Sequence, residues 1–352
     1  MDRYVEQEFR TLQGFSCGNL SDSDRGKTVK PGKGEKMKPK WTGLCLSLIL
    51  FAMILAVGLS EGEDRLGFRF ADAKEAAELL LSNRDYYDNL NQMDLDYRMQ
   101  KKGATLAELE AHAAKQTRDF TPEEKDILTG IMAEIEQNCR LRGYTLPVMD
   151  NIVFAQTTMH EECDAMGYTH GTQIYLGEAF FEQDHANMLY VAAHEVFHCL
   201  TRNDPDFREA MYRILGFTVV EKDFDFGPKV RNAMISNPDV EHHNSYASFS
   251  IGGKMMDCAV VFTTRQPFKK PGDSFFTDMM TGLVPIDDLS FMYDSNEASN
   301  FWDVFGRNTA YVIDPEETLA DNFALTVLYG PEGLEYSTPE IIRAIDTFLR
   351  QS

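Results

Sequence analysis

Positive charge is scarce in this chain, and closely spaced cysteine pairs are missing from it. Lysine and arginine total 34 against 56 aspartates and glutamates, a formal net charge of -22. The shortage is uneven. Residues 1–40 carry 9 basic and 6 acidic side chains, residues 41–60 carry none of either sign, and the remainder carries 25 basic against 50 acidic. A surface this acidic repels phosphate backbones, which excludes nucleic acid as an expected partner and says nothing positive about a substrate. The six cysteines show no Cys-x-x-Cys spacing, so a zinc knuckle is not expected. Cys17 and Cys45 lie near the start; for Cys139, Cys163, Cys199 and Cys258 in the body, buried free thiols and two disulfides are both open. Internal repeats and a βαβ rhythm are also lacking, which argues against solenoids and doubly wound parallel sheets.

What remains is a chain of 352 residues, 43% hydrophobic and 26% charged, long enough for one large domain with a helical extension. Residues 1–40 read as a basic polar leader. Residues 41–60, WTGLCLSLILFAMILAVGLS, hold no charge. As a helix they would span roughly 30 Å, the thickness of a bilayer's hydrocarbon core. Lys27, Lys30, Lys33, Lys36, Lys38 and Lys40 precede this run, and a basic flank of that kind stays on the cytoplasmic side. The segment is therefore expected to be a transmembrane anchor or a signal. A start at Met37 would give the short basic and apolar regions of a cleavable signal. Either way the body is expected outside the cytoplasm, membrane-anchored, or secreted or periplasmic if the signal is cleaved.

Residues 61–118 have apolar positions at helical spacing, as in ADAKEAAELLLSNRDYYDNL, and read as a helical extension. Residues 119–352 read as the main domain. Thr121-Pro122-Glu123-Glu124 is a capping box with proline at the first helical position, predicting a helix to about Arg140. Short strands are predicted at Asn151–Thr157 and Thr172–Leu176, and a hairpin around Gly252-Gly253. Asp184 is the expected N-cap of a helix through Leu200, Asp314-Pro315 of one through Tyr329, and Thr338-Pro339 opens a last one. Helices and strands mixed without alternation indicate the α+β class.

The chemistry is concentrated in His194-Glu195-Val196-Phe197-His198. Residues four apart on a helix lie one above the other, so two imidazoles can converge on one cation. Glu195 beside the first histidine can reach a water held there and handle its proton. The flanking Leu189, Val191, Ala192, Ala193 and Leu200 make this helix apolar on most sides, and burying two histidines and a glutamate there is costly unless a cation satisfies them. A catalytic zinc wants a third protein ligand and an open fourth position. Asp204 lies at the downstream spacing for a third ligand but also suits the N-cap of PDFREAMYRIL. Glu317 and Asp321 share a face of the helix after Asp314, so one carboxylate can meet the metal and the other a histidine's free N–H, with Glu316 as a neighbouring candidate ligand.

HEVFH followed by a later helix bearing EETLADNFA resembles the gluzincin group of zinc metallopeptidases, the thermolysin-like side of the zincins. The resemblance covers about 30 residues. It implies a zincin-like catalytic domain, with a small mixed sheet backed by the motif helix and a mainly helical lower part. It also implies one catalytic zinc ion held by His194, His198 and Glu317, with Glu195 activating water and Asp321 hydrogen-bonded to His194. Hydrolysis of peptide or protein substrates is the expected reaction. The alternatives are a zincin-fold binding or regulatory protein and an amide hydrolase acting on cell-wall material. For the donor that stabilises an oxyanion, His243 and Tyr246 are the leading candidates, with His242 and His170 behind them. The strand after His170 is a candidate edge for an extended peptide.

Overall fold

The computed structural model describes residues 66–351. The leader, the uncharged segment 41–60 and its possible start at Met37 lie outside the described residues. Among the described residues, no helix is long and apolar enough to cross a membrane.

Two five-stranded sheets and twelve α-helices make up the described chain, in chain order as follows. The first part runs β1 (Leu66–Phe70), α1 (Ala73–Ser82), α2 (Arg84–Tyr87), α3 (Gln92–Arg98), α4 (Leu106–Ala113), β2 (Thr117–Arg118) and α5 (Pro122–Arg142). Then come β3 (Met149–Thr157), β4 (Gly167–His170), β5 (Gln173–Gly177), α6 (Glu178–Phe181), α7 (His185–Asn203) and α8 (Pro205–Ile214). The remainder is β6 (Thr218–Val219), α9 (Pro228–Arg231), β7 (Ser245–Ile251), β8 (Lys254–Thr264), β9 (Met279–Pro285), β10 (Tyr293–Asp294), α10 (Phe301–Phe305), α11 (Pro315–Tyr329) and α12 (Pro339–Gln351). The class is α+β, as the mixed pattern implies.

The first sheet has the order β1-β3-β5-β4, with β2 paired to β3. β1, β3 and β5 are parallel and β4 closes the sheet antiparallel to β5. The edge strand therefore contains His170 itself, while β5, the strand after it, is internal; an extended peptide has β4 and not β5 to lie against. The expected helical extension is helical in α1 to α4, but β1 and β2 also join the sheet of the residues that follow. Residues 66–118 share one compact unit with the rest of the described chain.

The sheet is backed by α5 and α7. Leu128, Ile131 and Ile135 of α5, Ile152 and Phe154 of β3, Ile174 and Leu176 of β5, and Ala192, Val196 and Leu200 of α7 share one core. The α5 start follows its sequence signal: Thr121 accepts from the Glu124 N–H, and Glu124 returns the bond to the Thr121 N–H. Gly143, left-handed at φ 70, ends it.

The lower part is not mainly helical. It holds the second sheet, wholly antiparallel in the order β10-β9-β8-β7-β6, with the β7–β8 hairpin turning at Gly252-Gly253. The hairpin is visible as a turn signal, but β9 forms its ladder with β8 across more than ten intervening residues, and such long-range pairing has no local signature. α11 closes this part against α7. Every residue from Pro315 to Leu328 is buried, including Glu316, Glu317, Thr318, Asp321 and Asn322. Polar side chains on a wholly buried helix must be satisfied inside the protein, and these are satisfied largely by α7 and the loops around it.

Candidate metal centre

α7 presents both histidines of the motif toward α11. The ring centroids of His194 and His198 are 4.8 Å apart with planes at 80°. Glu317 Oε2 lies 3.1 Å from His194 Nε2 and 3.8 Å from His198 Nε2. One donor atom from each of the three residues lies within 4.8 Å of the others, a set that could hold a metal ion. Ligands at about 2.0–2.1 Å around a tetrahedral zinc stand roughly 3.3–3.5 Å from one another, so the observed spacing fits such an ion with small adjustments.

The opposite ring nitrogens are each met by a carboxylate. His194 Nδ1 is 2.9 Å from Asp321 Oδ1, and His198 Nδ1 is 3.1 Å from Glu316 Oε1. These contacts fix both imidazoles with Nε2 toward the common focus. The carboxylates are themselves held. Tyr212 and Thr201 donate hydroxyl hydrogen bonds to Glu316 at 2.7 and 2.5 Å. The Thr309 hydroxyl donates to Asp321, and the Asn237 amide donates to the free oxygen of Glu317. His198 Nε2 is the exception: it is buried and has no hydrogen-bond partner. A buried imidazole nitrogen aimed at a carboxylate without bonding to it is a donor that a cation could satisfy.

Electrostatics agree with the geometry. Burial opposes a charge on His194, yet the hydrogen bonds to Asp321 and Glu317 hold its pKa well above the usual histidine range. Burial raises Glu316, but the hydrogen bond and charge of His198 outweigh it and keep its pKa below the ordinary value. A site whose carboxylates pull a proton onto the imidazole in this way attracts a metal cation for the same reason.

Glu195 meets the edge strand, where its Oε2 accepts from the Thr169 hydroxyl at 2.7 Å. A Cβ on Gly167 would stand 3.0 Å from Glu195 Oε1 and 3.1 Å from a Leu176 methyl. A larger residue at 167 would require the carboxylate or the Leu176 side chain to give way by a few tenths of an ångström.

The other candidates fall elsewhere. Asp204 accepts from the Asp206 and Phe207 N–H groups at 3.1 and 2.9 Å as the N-cap of α8, so its carboxylate is used there and it is not the third ligand. His243 packs its ring on Phe226 at 5.8 Å, and burial lowers its pKa to about 4. Tyr246 sits in β7 opposite Thr218. Among the described residues neither has a hydrogen bond, ion pair or ring contact with His194, His198 or Glu317. His242 pairs with Asp223 at 3.2 Å. His170 is buried among Tyr86, Tyr168 and Tyr175.

The structure adds groups that sequence reading misses. Asn237 reaches Glu317, and an Asp239 oxygen, a Glu195 oxygen and a His198 ring nitrogen lie within 4.8 Å of one another. Burial, then the charges of Glu195 and Glu317, push the Asp239 pKa well above the carboxylate range. Tyr311 lines the same small cavity as Asn237 and Asp239, and burial followed by the charges of Glu317, Asp239, Asp321 and Glu195 raises its pKa. Asn237-Pro238-Asp239 is a recognisable turn signature, but nothing local says that it folds back onto a helix 40 residues upstream; Tyr311 carries no signal at all.

No protein-family model matches this chain, and neither a curated protein nor a solved structure matches it.

Proposed function

We propose that this protein is an exported or membrane-anchored zinc metallopeptidase of the gluzincin type, with a zincin-like catalytic domain, hydrolysing peptide bonds. The observation that carries the reading is the convergence of His194, His198 and Glu317 on one point, with His198 Nε2 buried there unpartnered. His194, His198 and Glu317 would hold the ion. When bound, zinc polarises the scissile carbonyl and brings the pKa of its water to about 7.

The chain's own residues account for the rest. Asp321 and Glu316 orient the two imidazoles and strengthen them as donors. Glu195 accepts the proton of the attacking water and returns it to the leaving amine, so one carboxylate serves as base and then acid. The Thr169 hydroxyl holds it on the side of the edge strand, where an extended substrate would run. Tyr311, which shares a small cavity with Asn237 and Asp239, replaces His243 and Tyr246 as our candidate for the donor to the oxyanion.

Metal analysis and peptidase assays on wild type and Glu195→Gln test this. One zinc per chain in both proteins is expected, with hydrolysis of a peptide library only by wild type. Equal activity in the two would refute the mechanism, and a wild type that takes up no zinc would refute the site.

A further inference from the structure

The described chain begins at Leu66, and two contacts fix where it enters the fold. The Leu66 N–H donates to Glu136 of α5 at 3.0 Å, and Leu66 is the register partner of Met149 at the start of β3. The entry point therefore lies beside the last turns of α5 and the loop that leads from it into β3. Only residues 61–65 separate Leu66 from the uncharged run 41–60. Fully extended, that tether reaches roughly 20 Å.

The two most exposed large apolar side chains among the described residues sit at this same end. Leu141, in the last turn of α5, is 76% exposed, and Val148, next to Met149, is 66% exposed. A single exposed aliphatic side chain needs no explanation, but two of them where the chain arrives call for one. Arg140 and Arg142 flank Leu141, while Arg350 of α12 donates to the Arg142 carbonyl and lies over the Tyr144 ring at 5.2 Å. Arg140 and Arg350 are about half exposed, whereas the carboxylates paired with them, Glu136 and Asp346, are largely buried. The Arg142 guanidinium bonds the carbonyls of Val327 and Leu328. Exposed charge beside the apolar pair is thus mainly positive, with Asp150 the nearest exposed acid in sequence, on a chain that is strongly acidic as a whole.

Resting on the membrane-anchored form of the reading above, and independent of the metal, we propose that this end of the domain docks on the bilayer that anchors residues 41–60. Leu141 and Val148 enter the boundary between headgroups and acyl chains, and Arg140 and Arg350 meet lipid phosphates. The short tether carries the commitment to lipid. Headgroup layers add roughly 5–8 Å to each side of the hydrocarbon core. With residue 60 at the edge of that core, the tether leaves Leu66 within roughly 12–15 Å of the lipid surface. An apolar pair ringed by guanidinium groups also matches the layers of a bilayer, with phosphates outside and acyl chains within.

Nitroxide labels on the full chain, reconstituted in vesicles of phosphatidylcholine and phosphatidylglycerol, test this. Leu141→Cys, Val148→Cys, Met255→Cys and Leu50→Cys are made singly in a background where Cys17, Cys45 and Cys163 are serine; Cys139, Cys199 and Cys258 are buried. The label at 50 reports the anchor, and the one at Met255, an exposed residue of β8, reports an aqueous surface. Collision with oxygen, which concentrates in lipid, is compared with collision with a water-soluble nickel chelate. Labels at 141 and 148 are expected to show a nickel-to-oxygen ratio several-fold below that at 255. Equal ratios at 141, 148 and 255, with the label at 50 in lipid, would overturn the docking surface and leave the anchor standing. A water-exposed label at 50 would overturn the anchor and this inference together, without touching the metal site. Shielding of 141 and 148 from both reagents, with dipolar broadening between labels, would seat a second copy of the chain there and overturn docking on lipid.

Discussion

Asp321 Oδ1 stands 2.9 Å from His194 Nδ1, although 127 positions of chain separate the two residues. This contact decides which ring nitrogen His194 turns toward Glu317. An imidazole whose Nδ1 is held by a carboxylate presents Nε2, and with more basicity than a free ring has. Glu316 does the same for His198 from the first turn of the same helix.

Removing that orientation is expected to weaken the metal without abolishing it. Asp321→Asn keeps the size and an acceptor but loses the charge. The zinc dissociation constant should rise about 10–100-fold, as is usual for partners of ligand histidines. Glu316→Gln should behave alike through His198. Competition with a chromophoric chelator measures both; affinities equal to wild type would mean that the carboxylates serve folding alone.

Arg98 anchors the loop at Ser236 from the interior, donating to its carbonyl at 2.7 Å. It is 2% exposed and bonds Glu162 at 2.9 Å, Asp94 at 3.1 Å and the Tyr86 hydroxyl at 2.6 Å. Arg98→Met fills similar space but leaves two buried carboxylates without their cation. Losing one partner of a buried ion pair costs about 3–5 kcal/mol, so a large drop in the denaturant midpoint is expected. A loss below about 1 kcal/mol would show that these buried ion pairs contribute little to stability.

Acid sensitivity follows from two histidines outside the metal centre. Burial lowers His170 from 6.5 to about 3, and burial likewise lowers His243 to about 4. Both are neutral when folded and take up a proton when unfolded below about pH 6.5, so the unfolded chain binds more protons in that window. Stability they contribute is complete above 6.5 and is lost as pH falls toward the folded values. Each is worth about 1.4 kcal/mol per pH unit within the window. Urea titrations of chelator-treated protein between pH 4 and 6.5 should show His170→Gln with a slope shallower by that amount; an unchanged slope would place the acid sensitivity elsewhere.

The local parts of this fold are legible in the chain. Thr121 and Glu124 announce α5, Asp184 announces α7 and Asp314-Pro315 announces α11, because capping is settled within four residues by the first unsatisfied N–H groups. The histidine pair is legible for a similar reason, since helical periodicity alone places positions 194 and 198 on one face. The second sheet is not legible beyond its hairpin. Its β8–β9 pairing joins strands across a long irregular segment, and side-chain alternation does not say which partner a strand will choose. The division at residue 118 fails to appear as a structural boundary because β1, only five residues long, completes a sheet from the far end of the polar helices.

Sequence by itself determined a buried helix carrying two imidazoles and a carboxylate, and a second helix able to offer acids at one face. Tertiary structure alone decided which acids arrive and in what role. Glu317 reaches between the two imidazoles, Asp321 and Glu316 stand behind the rings, Asp204 stays at its cap, and Asp239 approaches from a loop with no marking. The reason is range: a backbone pattern fixes neighbours three or four residues apart, whereas these side chains are brought together by packing between elements more than a hundred residues apart, where burial makes each polar partner count.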